Sequence, residues 1–254
     1  TNSSTPVITV TTNTAYIYSG VTGDVGIIKD GPGRLELLHP ISNLWSGWTT
    51  VTAGYMKVLI PYPAASPSKF ATAGISTYTG ATFEFYVPTN TSYRGWTNGQ
   101  QKIISGNGTI VKSGAGMLEL GADASGVKYG TVISMSGGVI DIQEGMLRNG
   151  TDNYVNWRTN YSSLNIGPSG IFDIRDASNP VFVDALTGSG QITSSYETVS
   201  VYVGVNNGSG VFSGDTPPVS GDEMTLYKLG TGTQVFCGAN VRFYGIVVSN
   251  GVLQ

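Results

Sequence analysis

The chain has 254 residues, of which 36 are Gly, with 40% hydrophobic residues, 11% charged residues and a formal net charge of −3. An average soluble domain carries about 25% charged residues and about 7% Gly, so this is a folded, polar but weakly charged, Gly-rich chain rather than a disordered one. Only 13 Lys and Arg argue against nucleic acid or an anionic membrane surface as a partner, and no apolar run is long enough for a membrane span. A single cysteine, Cys237, excludes an intrachain disulfide framework and a multi-cysteine metal site.

In chain order, short apolar or alternating runs are expected as strands at Val7–Val10, Ala15–Tyr18, Val25–Ile28, Leu35–Leu38, Met56–Ile60, Thr82–Val87, Ile103–Ile104, Thr109–Val111 and Met117–Leu120. They continue at Thr131–Met135, Val139–Ile142, Ser163–Ile166, Ile171–Ile174, Val199–Val205, Thr225–Leu229, Gln234–Cys237 and Ile246–Val248. These runs are rich in Val, Ile, Thr and Tyr and are bounded by Gly, Asn, Asp or Ser, while no capped stripe of helical period interrupts them. The expected class is all-β.

Internal repetition narrows the architecture. Lys29-Asp30-Gly31-Pro32-Gly33-Arg34-Leu35, Lys112-Ser113-Gly114-Ala115-Gly116-Met117-Leu118 and Lys228-Leu229-Gly230-Thr231-Gly232-Thr233-Gln234 share the form Lys-x-Gly-x-Gly followed by a strand. A second strand and a Gly turn follow each: Ala53-Gly54, Ser136-Gly137-Gly138 and Asn250-Gly251. A fixed grammar of this kind describes stacked coils, with Gly and Asn at corners that β-branched residues cannot turn. At about 20 to 25 residues a coil, the chain gives roughly ten to twelve coils and a rod about 50 Å long.

The segments 28–58, 110–142 and 226–254 resemble the passenger-associated repeat of bacterial autotransporter passengers and related giant surface proteins. The likeness is closest over Ile110–Ile142 and Leu226–Gln254 and extends to Leu164–Gly167, Ile171–Ile174, Leu186–Ile192 and Val205–Gly214. That resemblance implies a right-handed single-stranded parallel β-helix, exported to the cell surface or beyond. It does not extend to a membrane barrel, because the sequence holds no set of alternating strands of about ten residues. Thr1, with no charged-then-apolar leader, reads as the start of a mature or excised form.

Two stretches depart from the coil grammar within an otherwise single domain over 1–254. Residues 61–101, opening with Pro61-Tyr62-Pro63 and containing Tyr93 and Trp96, are expected to be an insertion. In Thr151–Tyr161, the aromatics Tyr154, Trp157 and Tyr161 lie among Asn and one Arg. These five aromatics are candidate contacts for surface glycans or a protein, against the plainer expectation that they pack on the rod. Six Asn-x-Ser/Thr sequons occur, with Asn90 and Asn160 the expected acceptors and Asn107 and Asn207 expected as turn residues.

Parallel β-helices also carry polysaccharide lyases and hydrolases, which need paired carboxylates. Asp141 with Glu144, Asp173 with Asp176 beside Arg175, and Asp222 with Glu223 are the candidates, and solvated ion pairs are the expected outcome. His39 is the sole histidine, no Gly-x-Ser-x-Gly elbow is present, and Cys237 is expected as a buried, inert thiol. No catalytic set, metal or cofactor is therefore expected. The reading is a non-enzymatic extracellular rod that self-associates or serves as a stalk, with Val7, Val10, Val252 and Leu253 at its joining ends. The alternatives are a glycan-binding adhesin and, behind it, a polysaccharide-active enzyme.

Overall fold

The computed structural model describes residues 4–39, 44–60, 70–88, 92–93, 101–121, 130–150, 155–175, 180–195, 198–217 and 224–254. Among these, every regular element is a strand and every named pair of strands is parallel, so the chain is a β-solenoid of stacked coils.

Three faces wind around one core. On the first face, Val7–Thr9, Ile27–Asp30, Thr49–Val51, Gly74–Thr77, Lys102–Gly106 and Thr131–Met135 stack in that order. Val132 bridges to Asn156, and Val181–Val183, Val199–Val203, Met224–Lys228 and Gly245–Val248, each preceding the second-face strand of its coil, continue the winding as a separate four-stranded sheet. The second face is the continuous one: eleven strands follow one another from Thr14–Ile17 to Val252–Leu253. At about 4.8 Å a strand, that ladder is about 50 Å long, as the repeat arithmetic anticipates.

The third face begins where the chain turns within a strand. Val139–Arg148 and Ser163–Asp173 each run on past the second face, so Met146–Arg148 pairs with Met117–Glu119 and Ile171–Asp173 with Gln191–Thr193. The sequence divides Ser163–Ile166 from Ile171–Ile174 at Gly167-Pro168. Here instead the register shifts between Ile142 and Glu144, and the extra residue is absorbed as a bulge with Pro168 and Ser169 exposed.

Alternation sorts side chains between core and surface. One inward column on the second face runs Leu35, Met56, Phe83, Ile110, Ile140, Leu164, Leu186, all buried. Beside it run Leu37, Val58, Phe85, Lys112, Ile142 and Ile166. The expected insertion over 61–101 is corrected in its middle: Phe70, Ile75, Phe83 and Phe85 are core residues, and Gly74–Thr77 and Thr82–Tyr86 are ordinary members of the first and second faces. The apolar alternation of Thr82–Tyr86 requires burial on one side, and the stack supplies it. The flanking residues 61–69, 89–91 and 94–100 lie outside the described residues.

Candidate functional site: lysine corners and the open terminal coil

The Lys-x-Gly-x-Gly motif is an internal fastener. Lys29, Lys112 and Lys228 are the last inward residues of their strands and are fully buried. Each ammonium group has three hydrogens to donate. Lys29 Nζ donates to the carbonyls of Asp30 (3.0 Å), Gly31 (2.7 Å) and Ala53 (3.0 Å). Lys112 Nζ donates to Ser113 (3.1 Å), Gly114 (2.7 Å) and Glu144 (2.8 Å). Lys228 Nζ repeats the pattern on Leu229, Gly230 (2.9 Å) and Asn250 (3.4 Å).

Two acceptors are thus the carbonyls of the lysine's own corner, and the third belongs to the next coil, two residues past the lysine's ladder partner (Val51, Ile142 or Val248). The residue after that third acceptor is Gly54, Gly145 or Gly251, with φ of 68°, 67° and 72°. A Cβ on Gly145 would lie 2.5 Å from the carbonyl oxygens of both Gly114 and Gly116. The glycines of the motif are therefore set by backbone meeting backbone across coils.

This corrects the alignment of the second repeat. Lys29 and Lys228 turn from the first face to the second, whereas Lys112 lies in Thr109–Ser113 and turns from the second to the third. The glycine that closes the Lys112 corner is Gly145, while Gly138 stacks on the Gly108 carbonyl at a different corner. The motif marks a kind of corner rather than a fixed phase of the coil. Burial holds all four inward lysines below the usual ammonium range, with Lys102 and Lys112 pulled down to about 8. Lys102 donates to the carbonyls of Ala71 (3.0 Å) and Thr72 (2.7 Å).

A further internal device spans three coils. The Gln234 amide is buried; its Nε2 donates to Leu186 C=O (2.9 Å) and its Oε1 accepts from Leu186 N–H (3.0 Å). Gly210, the intervening ladder partner of Gln234, leaves the space for it: a Cβ there would lie 2.9 Å from Gln234 Oε1.

The carboxylates singled out from the sequence are engaged along the stack. Asp141 accepts from Gln143 (2.8 Å) and Asn165 (2.7 Å), and Asn165 Oδ1 in turn accepts from Thr187 (2.9 Å). Asp173 is buried and accepts from Arg148 Nε (2.8 Å) and from Ser195 Oγ (2.8 Å) and N–H (3.1 Å). Glu144 contributes its backbone carbonyl to Lys112, while Asp176, Asp222 and Glu223 lie outside the described residues. The densest cluster was not legible as such. Glu84 Oε2 accepts from Arg34 (3.0 Å) and Tyr55 (2.7 Å), Oε1 accepts from Ser113, and Lys57 lies 3.6 Å away. Arg34 also pairs with Glu36 and lies 3.9 Å from the Tyr55 ring centroid. Arg34, Tyr55, Glu84 and Ser113 come from four successive coils of the second face, so the cluster ties coils together and leaves Glu84 no unengaged oxygen. Burial, then the Glu84 hydrogen bond, raises the Tyr55 phenol above its ordinary value.

The predicted contact residues separate. Trp157 is buried, edge-on to Phe172 with centroids 5.8 Å apart, and its Nε1 donates to Asn149 Oδ1 (3.0 Å), so its ring has no face to offer a sugar. Tyr161 is exposed; Tyr154, Trp96 and Asn90 lie outside the described residues, as does the Tyr93 side chain. Asn160 is not an exposed acceptor: it is buried, donating to Phe182 C=O (2.8 Å) and accepting from Ser162 Oγ (2.8 Å). Asn207 is a left-handed turn residue, φ 67°, as its Asn-Gly context implies. Cys237 is exposed rather than buried, because it lies at the surface end of Thr233–Phe236.

At the ends, Val7 and Val252 are exposed and Leu253 is half-buried, but Val10 is buried under the Gly31–Gly33 corner, to which it is hydrogen-bonded. The stronger signal lies in the last coil. The inward columns Val181–Val201–Leu226–Ile246 and Val183–Val203–Lys228–Val248 are at most 4% exposed until their final members, which are 55% and 50% exposed. Tyr244, Val247 and Val252 are exposed beside them. Alternation within Leu226–Lys228 and its partner Ile246–Val248 is the sequence signal that assigns these residues inward.

Comparison with known protein families, curated proteins and solved structures gave no match.

Proposed function

We propose that this chain is a structural element, an extracellular β-solenoid rod that self-associates or forms part of the stalk of a larger surface protein, without catalytic activity. The observation that carries this reading is the set of buried fasteners that tie coil to coil: Lys29, Lys112 and Lys228 each reach a carbonyl of the next coil, Gln234 holds Leu186 across an intervening coil, and Arg34, Tyr55 and Ser113 converge on Glu84. The lysine corners, the Gln234 bridge and the Glu84 network all bind one coil to the next, which is what a load-carrying rod requires. The resemblance of the repeats to passenger sequences supports export.

Sedimentation velocity across a concentration series tests it. The sedimentation coefficient is expected to rise with concentration for the wild type and to stay constant for Ile246→Asp/Val248→Asp; a wild-type coefficient independent of concentration contradicts self-association. Of the five aromatics named for the adhesin alternative, Trp157 is a core residue and Tyr161 is exposed.

A further inference from the structure

In the middle of the stack, the corner between the first and second faces carries a charge-free strip built by four successive coils. Backbone hydrogen bonds set its register. Asn107 N–H donates to Thr77 C=O (2.9 Å), Ser136 N–H to Gly106 C=O (2.8 Å) and Tyr161 N–H to Met135 C=O (2.8 Å), so Tyr78, Asn107, Ser136 and Tyr161 follow one another in a single column. On one side of it runs Ser76–Ser105–Ser134, an outward row of the first face, and on the other Thr82–Thr109–Val139–Ser163, an outward row of the second. None of the three rows holds a charged residue.

A tyrosine stands at each end of the column. Tyr78 and Tyr161 are 55% and 46% exposed, and three strand steps place them about 14 Å apart along the rod axis. The two corners between them, Gly106-Asn107-Gly108 and Ser136-Gly137-Gly138, carry no side chain larger than Asn107, and Asn107 and Ser136 are exposed. Backbone contact keeps these corners low: a Cβ on Gly108 would lie 2.3 Å from the Tyr78 carbonyl oxygen, and one on Gly138 would lie 2.0 Å from that of Gly108. Two open rings thus flank a floor of amide and hydroxyl groups.

Aromatic rings, amides and hydroxyls without charge are the groups that recognise an uncharged sugar. A ring covers the apolar face of a pyranose and neutral donors and acceptors bond its hydroxyls, whereas an anionic chain calls for Lys or Arg. Spacing carries the match further, because the coils advance by about 4.8 Å, close to the advance per sugar of an extended β-1,4-linked chain. We infer that this strip binds a linear, uncharged polysaccharide laid along the rod axis, one sugar per coil, with Tyr78 and Tyr161 against the two outer sugars and Asn107 and Ser136 bonded to those between. Ser136 Oγ donates to Gly106 C=O (3.3 Å) and keeps its lone pairs for a sugar hydroxyl. The site goes beyond the rod role and does not depend on self-association, since described coils stack on both sides of it.

Affinity electrophoresis of the full chain in native gels containing soluble glucomannan, with alginate as the charged control, tests the site. The wild type is expected to be retarded by glucomannan and to run freely in alginate. Tyr78→Ala and Tyr161→Ala are each expected to weaken binding about tenfold, and together to abolish it. Both change exposed side chains, so the circular dichroism spectrum is expected to stay as in the wild type. Gly137→Leu obstructs the floor instead: a Cβ there would meet only Asn107 Cβ, at 3.9 Å, so the fold is kept and retardation is lost. By calorimetry, cellotetraose, long enough to reach both tyrosines, is expected to bind about tenfold or more tighter than cellobiose. No retardation of the wild type by glucomannan, retardation that survives the double tyrosine variant, or equal retardation in alginate overturns the proposal.

Discussion

A buried lysine normally calls for a carboxylate, and these instead find backbone. At Lys112 the three carbonyls supply an acceptor for each ammonium hydrogen, while burial alone moves the pKa down to about 8, opposed by Glu144. Lys112→Ala removes those bonds and opens a void, with an expected loss of about 3 kcal/mol in chemical denaturation. The pH dependence has a definite sign. A lysine titrating near 8 when folded and near 10.5 when unfolded binds fewer protons in the folded state between those values, so stability rises with pH across that window. Lys102 acts in the same direction. Tyr55 acts oppositely above pH 10, where the unfolded phenol loses its proton before the folded one. The destabilisation by Lys112→Ala is therefore expected to be larger at pH 10 than at pH 7.5; a smaller one would mean that the carbonyls hold the proton more strongly than burial expels it. Glycine separates conformation from contact. Gly80 at φ 77° has open space where a Cβ would go, and Gly80→Ala is expected to cost about 1 kcal/mol from backbone strain alone. Gly145→Ala adds the collision with Gly114 and Gly116 and is expected to cost several times more by the same measurement.

Among the elements, the strands of the second face were the most legible, because Arg34–Leu37, Tyr55–Leu59 and Thr82–Tyr86 alternate cleanly between core and surface. Lysine defeats that reading only if its charge is taken to place it outside. In Ile27-Ile28-Lys29, Ile110-Val111-Lys112 and Leu226-Tyr227-Lys228 the period of two already assigns it inward. Asn160 was misread as exposed because an Asn-rich, aromatic stretch looks like a loop; for Trp157 the plainer expectation holds, since Val155–Trp157 lies in the coil next to Thr131–Met135 and packs into the core. The Glu84 cluster and the Gln234 bridge depend on residues one to three coils apart, a separation that varies with corner length and so has no fixed spacing to find. The bridge makes its own prediction. Gln234→Leu strands the Leu186 N–H and C=O and is expected to destabilise by about 2 to 4 kcal/mol. Gly210→Ala would set a Cβ 2.4 Å from the Leu186 carbonyl oxygen as well as 2.9 Å from Gln234 Oε1, so it is expected to cost stability even on top of Gln234→Leu, but by less than the sum of the single variants in a double-mutant cycle; full additivity would mean the two do not share the site.

At the scale of the whole stack, the described residues form a ladder whose rungs are held by repeated local devices. Mutual stacking runs along the ladder as well: the rings of Phe182, Tyr202 and Tyr227 follow one another at 4.4 Å and 9°, so that Tyr202 is sandwiched between the other two. The proposed self-association would extend such a ladder by addition at an end. The measurement that tests this most directly is negative-stain electron microscopy of the wild type over a concentration series beside Ile246→Asp/Val248→Asp. Filaments of one-coil width with an axial repeat near 50 Å for the wild type, and dispersed short rods for the variant, are the expected result. Dispersed rods for both at every concentration would contradict self-association.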